Sequence, residues 1–235
     1  MKIQIIGCLL SLAVADTASG QLGYGLEVGA GMSTMRFAPD MGFTQASKKP
    51  VASWKAGIVI DAGINKKVYF QSGICFTSKG QKRDYSFYVA DTLNEKVAQS
   101  LRLSYIEVPV MLCYKSAVQG RGRVVAGIGA AAAYQVGGRH RLSAEGVYNG
   151  TAFNTTIDEK AIANRPLSPF DIGLSLVAGY ELPTGWMIRA YYTAGVNDLG
   201  QGTEIDKNRM FGIAVGYMAG KGRNIYKERD ELIEK

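Results

Sequence analysis

The 235-residue chain has few of the residues that announce most non-globular or catalytic designs. It holds 6 prolines, 3 cysteines and a single histidine, His140. So little proline, with no Gly-X-Y period, excludes collagen and a disordered linker. One histidine makes a metal centre unexpected. Beyond the N-terminal segment the longest apolar stretches, such as Val124 to Val136, are short and rich in alanine and glycine. None reaches the ~20 residues that a membrane-spanning helix needs, so a helical membrane protein is excluded. Basic runs are also missing. What remains is a water-soluble globular domain or a membrane β-barrel.

What is abundant is glycine, 29 residues or about 12% against a usual ~7%. Hydrophobic residues make up 47% and charged ones 20%, enough for one compact domain. Residues 1–20 read as a secretory signal: Lys2, an apolar stretch from Ile3 to Val14, then small residues Ala18 to Gly20 before Gln21. Cys8 lies inside the apolar stretch rather than after it, which argues against a lipoprotein signal. Removing that segment takes away Lys2 and Asp16, so the net charge of +7 belongs to the mature chain. An exported protein meets no nucleic acid, and the excess suits solubility and phosphate-rich lipid headgroups better. Cys75 and Cys113 remain. On adjacent antiparallel strands Cys75 falls opposite a position near 106, too far from Cys113 for a disulfide, so two buried free thiols are expected.

Period-two alternation carries the fold. Leu22, Tyr24, Leu26, Val28, Ala30 and Met32 alternate with glycine, Glu27 and Ser33. The pattern recurs from Ala52 to Ile64 and from Phe170 to Glu181. Weaker versions occupy Val68 to Thr77, Leu101 to Tyr114, Arg123 to Val136, Trp186 to Asn197 and Arg209 to Tyr217. Eight strands result, each long enough to cross a bilayer, for which ~9–11 tilted residues suffice.

Alternation does not say which face is inside. A soluble lipocalin-like barrel shows the same period inverted. The polar parity here is mostly Gly, Ser and Ala, which fits a crowded lumen rather than a wet exterior. The apolar parity places Tyr24, Trp54, Phe76, Tyr114, Tyr134, Phe170, Trp186, Tyr192 and Tyr217 near strand ends, as at membrane interfaces. Connections alternate between long (37–51, 81–100, 138–168, 198–208) and short (65–67, 116–122, 183–185), the asymmetry of outer-membrane barrels. The expected fold is all-β, an eight-stranded antiparallel up-and-down transmembrane β-barrel over 21–219. A charged periplasmic tail follows at 220–235.

Several stretches resemble the PorT-like outer-membrane β-barrel family of Bacteroidota. They are Val28 to Ser33, Phe76 to Gly80, Tyr105 to Pro109, Phe170 to Gly173 through Gly179 to Glu181, Arg189 to Tyr192 through Gly195 to Leu199, and Phe211 to Tyr217. Their order and spacing cover essentially the whole mature region. The resemblance implies an outer-membrane barrel, with some members linked to protein secretion and gliding; it does not imply a shared catalytic activity, and no cofactor is expected. The chain departs from it after Tyr217, where Met218 to Lys235, including the charged Lys227 to Glu231, replaces a terminus.

The lumen-facing parity carries Glu27, Lys55, Asp61, Glu107, Arg123, Asp171, Glu181 and Arg189. They either line an ion path or pair into a plug; a lone charge there costs several kcal/mol, which favours the plug. Pro109 lacks a ladder donor, so a bulge or strand edge is expected at that position. His140, near Arg139, Arg141, Ser143 and Glu145, is expected in a solvated loop, with a loop hydrolase or acyltransferase as the catalytic alternative. Asn149 to Thr151 and Asn154 to Thr156 match an acceptor pattern without weight in a bacterium. Asp91 to Leu93 resembles a short O-glycosylation motif of the same phylum, at Thr92. The sequence thus points to a non-enzymatic barrel with a structural or interaction role in the outer-membrane lipid. Tyr85, Phe87, Tyr88, Tyr148 and Phe153 would contact an envelope or secretion-complex partner. A small-solute channel is the first alternative.

Overall fold

A computed structural model describes residues 22–36, 45–65, 67–89, 93–116, 122–148, 150–160, 168–199 and 207–220. The segments expected to be a signal (1–20) and a tail lie outside the described residues, apart from Gly220, as do Thr92 and Asn149. Ten strands occur among the described residues: β1 (Leu22–Arg36), β2 (Gln45–Lys49), β3 (Val51–Gly63), β4 (Val68–Val89), β5 (Leu93–Lys115), β6 (Arg123–Tyr148), β7 (Thr151–Lys160), β8 (Phe170–Glu181), β9 (Trp186–Gly195) and β10 (Lys207–Gly220). All neighbours are antiparallel. Eight close a ring in the order β1, β3, β4, β5, β6, β8, β9, β10 and back to β1.

The alternation does what its period requires. Along β8, residues from Asp171 to Val177 are buried at odd positions and exposed at even ones. Leu26, Val28, Ile128 and Leu174, each more than half exposed in the isolated chain, therefore point at lipid. Two aromatic girdles bound this surface. Trp54 stacks on Phe76 at 5.4 Å and Tyr134 meets Phe170 edge-on at 5.1 Å toward one end, while Trp186 and Tyr217 pair at 5.4 Å at the other. From Phe170 to Tyr180 is about 33 Å along the strand and, at the usual tilt, about 25 Å along the barrel axis, the height of a lipid-facing band.

The tight end is built from short turns. Asn65 Oδ1 accepts from the backbone N–H groups of Lys67 and Val68 at 2.9 and 2.8 Å, an Asx turn between β3 and β4. Gly185, at φ +95°, closes the turn from β8 to β9.

The other end differs from the sequence expectation. Segments 81–100 and 138–168 are read as long loops, yet β4, β5 and β6 continue through most of them as ladder-paired strands. β2 pairs with the upper part of β4, and β7 with the upper part of β6. The order β2, β4, β5, β6, β7 makes a five-stranded sheet standing above the ring. The pattern fails here because the inner face of this sheet is lined with polar side chains, buried Gln81 and Arg83 among them, so neither parity is apolar.

One further expectation is corrected, and the reading of the two cysteines holds. No bulge lies at Pro109: it remains in register with Ala131 of β6 and only its pairing with β4 lapses, where the Ser72 hydroxyl donates to the Pro109 carbonyl at 2.8 Å. The irregularity falls instead at Ser104/Tyr105, where Tyr105 faces Gln135 but Ser104 faces Gly137. That extra residue in β6 exchanges its inward and outward parities above the bulge. Cys75 pairs with Glu107 and Cys113 with Tyr69; both thiols are buried and free.

Candidate functional site

The interior is the most chemically loaded part of the protein. The structure places all eight charges singled out in the sequence inside the ring, and it adds Lys79 and Lys115, each 3% exposed. The set is then balanced, five acids against five bases. Three linked groups run up the lumen. Nearest the turns, Lys115 Nζ bridges Asp61 and Glu181, the latter at 3.0 Å, and Arg123 holds both Glu181 oxygens at 3.2 and 2.8 Å. At mid-height Glu27 pairs with Lys55 at 2.5 Å and with Arg189. Gln71 joins these two groups, donating to Asp61 at 2.7 Å and accepting from Arg189. Higher up, Lys79 sits between Glu107 at 2.7 Å and Asp171 at 3.0 Å, and the Asn208 amide donates to Asp171 at 2.9 Å.

Tyrosine rings fill the space between the charges. Lys55 lies 4.2 Å from the Tyr191 ring centre, Lys115 4.7 Å from Tyr69 and Lys79 5.3 Å from Tyr105. Each lysine is thereby held by carboxylates on one side and an aromatic face on another, which favours a desolvated ammonium. Apolar groups pack among them: Met111, Cys113 and Val177 at mid-height, Met35, Leu103 and Leu199 above, Val59, Met187 and Met218 below. The cavity between Glu27, Gln71, Glu107 and Arg189 measures about 30 Å³. That is room for roughly one or two waters and no solute.

Lys79 and Lys115 escape the sequence reading because strands β4 and β5 are ended there at Thr77 and Tyr114. Both lysines continue the inward parity by one more step. The surplus of five acids over three bases was the signal that could have found them.

The raised sheet distributes the remaining candidates. His140 lies on β6 rather than in a loop. Alternation puts it on the inner face, where the Gln99 amide donates to its Nε2 at 2.8 Å, while Ser143 lies on the outer face, its hydroxyl 3.2 Å from that of Thr156. Histidine, serine and Glu145 thus do not converge. Tyr85 is half-buried, its hydroxyl accepting from Arg83 at 2.8 Å and meeting Gln99 at 3.4 Å. Tyr148, 59% exposed, stands at the tip of the β6–β7 hairpin, and Phe153 is half-buried opposite Gly146. Phe87 and Tyr88 fall near the end of β4, opposite Glu95 and Asn94 of β5.

A closed ring of eight antiparallel strands with an apolar exterior, two aromatic girdles and charges confined to its interior defines a transmembrane β-barrel. The chain belongs to the outer membrane protein beta-barrel domain family, whose model matches residues 14–201. Its location is the outer membrane. Among solved structures it is similar to Ail, the attachment invasion locus protein of Yersinia pestis, at 11% identity over 85% of this chain and 99% of that one, with a TM-score of 0.34. It is also similar to Neisserial surface protein A, at 13% identity over 83% and 96% of the two chains, with a TM-score of 0.37. OprG from Pseudomonas aeruginosa gives 10% identity over 86% and 98%, with a TM-score of 0.32. No curated protein matches the chain.

Proposed function

We propose that the protein is a non-catalytic outer-membrane barrel whose interior is a structural plug and whose raised sheet presents a contact surface to an envelope or secretion-complex protein. The observation that carries the reading is the lumen: ten balanced charges pair across it, and the cavity beside Glu27, Lys55, Glu107 and Arg189 measures about 30 Å³. An open ion path needs water along its length, whereas these side chains are bonded to one another. The divergence of His140 and Ser143 onto opposite faces supports the absence of a loop hydrolase. The secretion-associated part rests on the PorT-like resemblance, and the aromatic tip at Tyr148 supplies a surface of the kind that interfaces favour. In planar bilayers the folded protein is expected to give no discrete conductance steps. Stepwise conductance in this assay would replace the plug with a small-solute channel. A photo-crosslinker at Tyr148 in native membranes is expected to capture a discrete envelope protein, and lipid adducts alone would remove the partner role.

A further inference from the structure

The net positive charge has a location. On the outer face of the raised sheet stand Lys49, Lys82, Arg102, Arg139, Arg141 and Lys160 with two acids among them, Asp84 and Asp158, while Lys96 and Glu145 face each other farther up. The two nearer acids are already engaged: Lys49 binds Asp84 at 2.7 Å, and Asp158 takes Arg141 at 2.9 Å and Arg139 at 3.4 Å. Lys82, Arg102 and Lys160 make no ion pair among the described residues. The register sets like charges directly against each other: Lys49 opposite Lys82, Arg102 opposite Arg139, and Arg139 opposite Lys160. Such pairs destabilise a sheet. The bulge at Ser104/Tyr105 is what brings Arg139 and Arg141 to this face, since without it the β6 parity would point them inward. An anion lying across β4, β5 and β6 turns the repulsion into binding.

The height of the cluster identifies the anion. Arg102 lies four residues beyond the lipid-facing Ile106, about 13 Å along the strand and about 10 Å along the axis. An arginine side chain reaches back over most of that distance. The outward positions between the aromatic girdle and the cations are small or apolar, Ser78, Gly80, Ser104, Val136 and Gly137, so no charge or large ring separates the lipid band from the cations. Beyond them Lys49, Lys82, Ser100, Arg102, Arg139 and Arg141 line a groove of about 570 Å³. We infer that this face is a binding site for the phosphorylated sugar headgroup of an outer-leaflet glycolipid, whose acyl chains lie on the apolar strands below while its phosphates are held by Arg102, Arg139 and Lys82. Guanidinium forks suit phosphate oxygens. The inference is independent of the plug and of any protein partner.

The test uses the full chain folded in dodecyl maltoside micelles, with diphosphoryl lipid A retention read by native mass spectrometry. Retention is expected to be about tenfold tighter than for the dephosphorylated lipid with the same acyl chains, and Arg102→Gln/Arg139→Gln is expected to lose about tenfold or more. Lys67→Gln, in the turn at the opposite end, should leave retention unchanged. Heat-dependent gel mobility verifies that each variant is folded, and Arg102→Gln alone serves where the double variant is not. Equal retention of the two lipids, or wild-type retention by the folded Arg102 variants, overturns the inference. Displacement of the lipid by millimolar inorganic phosphate overturns it too, because the site then belongs to a free anion.

Discussion

Lys79→Met is expected to destabilise the folded barrel by about 3–5 kcal/mol, the largest effect of any single interior charge. Lys79 is the only basic group within ion-pair distance of both Glu107 and Asp171 among the described residues, at 2.7 and 3.0 Å. Methionine fills most of its volume, so packing is kept and the loss is electrostatic. Two carboxylates would remain buried, facing each other, with only the Asn208 amide to satisfy Asp171. Lys115 is a weaker case, because Arg123 still holds Glu181 and Gln71 still donates to Asp61. Urea titration in phosphatidylcholine vesicles measures the change, with Trp54 and Trp186 reporting from the two lipid-facing girdles.

The same experiment separates charge from shape. In the triple variant Lys79→Met, Glu107→Leu, Asp171→Asn, the upper group holds no charge at all, Asn208 keeps its acceptor, and the ion pairs of the two lower groups are untouched. Most of the lost stability should return, to within about 1 kcal/mol, since a buried ion group replaced as a whole by matched neutral residues is close to neutral. If the triple variant is as unstable as Lys79→Met, the upper group contributes through packing and the electrostatic account of the plug fails.

How far the fold can be read from the residues depends on what surrounds each strand. β1, β3 and β8 lie between lipid and a crowded lumen over their full length, and strict alternation from Leu22, Ala52 and Phe170 marks them without ambiguity. The upper halves of β4, β5 and β6 have water on one side and polar side chains, Gln81, Arg83, Gln99 and His140, on the other. Gln81 to Ser100 then has no apolar period, and a ladder of nine pairs, from Gln81 opposite Leu101 to Val89 opposite Leu93, looks like a loop. The eight interior charges follow from parity alone, whereas Lys79 and Lys115 lie just past the points where the apolar pattern stops. The bulge at Ser104/Tyr105 is invisible because Ala130 to Val136 reads smoothly whether or not one residue is skipped. That one residue decides whether Arg139 and Arg141 face lipid headgroups or the barrel mouth, and whether His140 faces inward beside Gln99.

Gly31→Val is expected to cost about 3 kcal/mol or more and to leave much of the chain unfolded in vesicles. The glycines are usually credited with relieving crowding in the lumen, but at this position the constraint is the seam of the barrel. Gly31 of β1 lies directly opposite Gly212 of β10, the first strand against the last. A Cβ at Gly31 would stand 2.0 Å from the Phe211 carbonyl oxygen and 2.6 Å from the Gly212 Cα. Those are backbone atoms, which no rotamer change can move. The reciprocal Cβ at Gly212 would meet the Ala30 carbonyl at 2.3 Å, so the close approach is shared by both strands. Relief requires the β1–β10 ladder to open, and that ladder is the contact of longest sequence separation, the one that closes the ring. Gly137→Ala is the control, because its Cβ would find only the Ser104 side chain at 3.6 Å, an ordinary contact, and should change stability by no more than about 0.5 kcal/mol. Folded fraction by gel mobility and urea midpoint in the same vesicles compare the two. Equal, small effects would mean that the seam is looser than its register implies and that closure does not depend on the paired glycines.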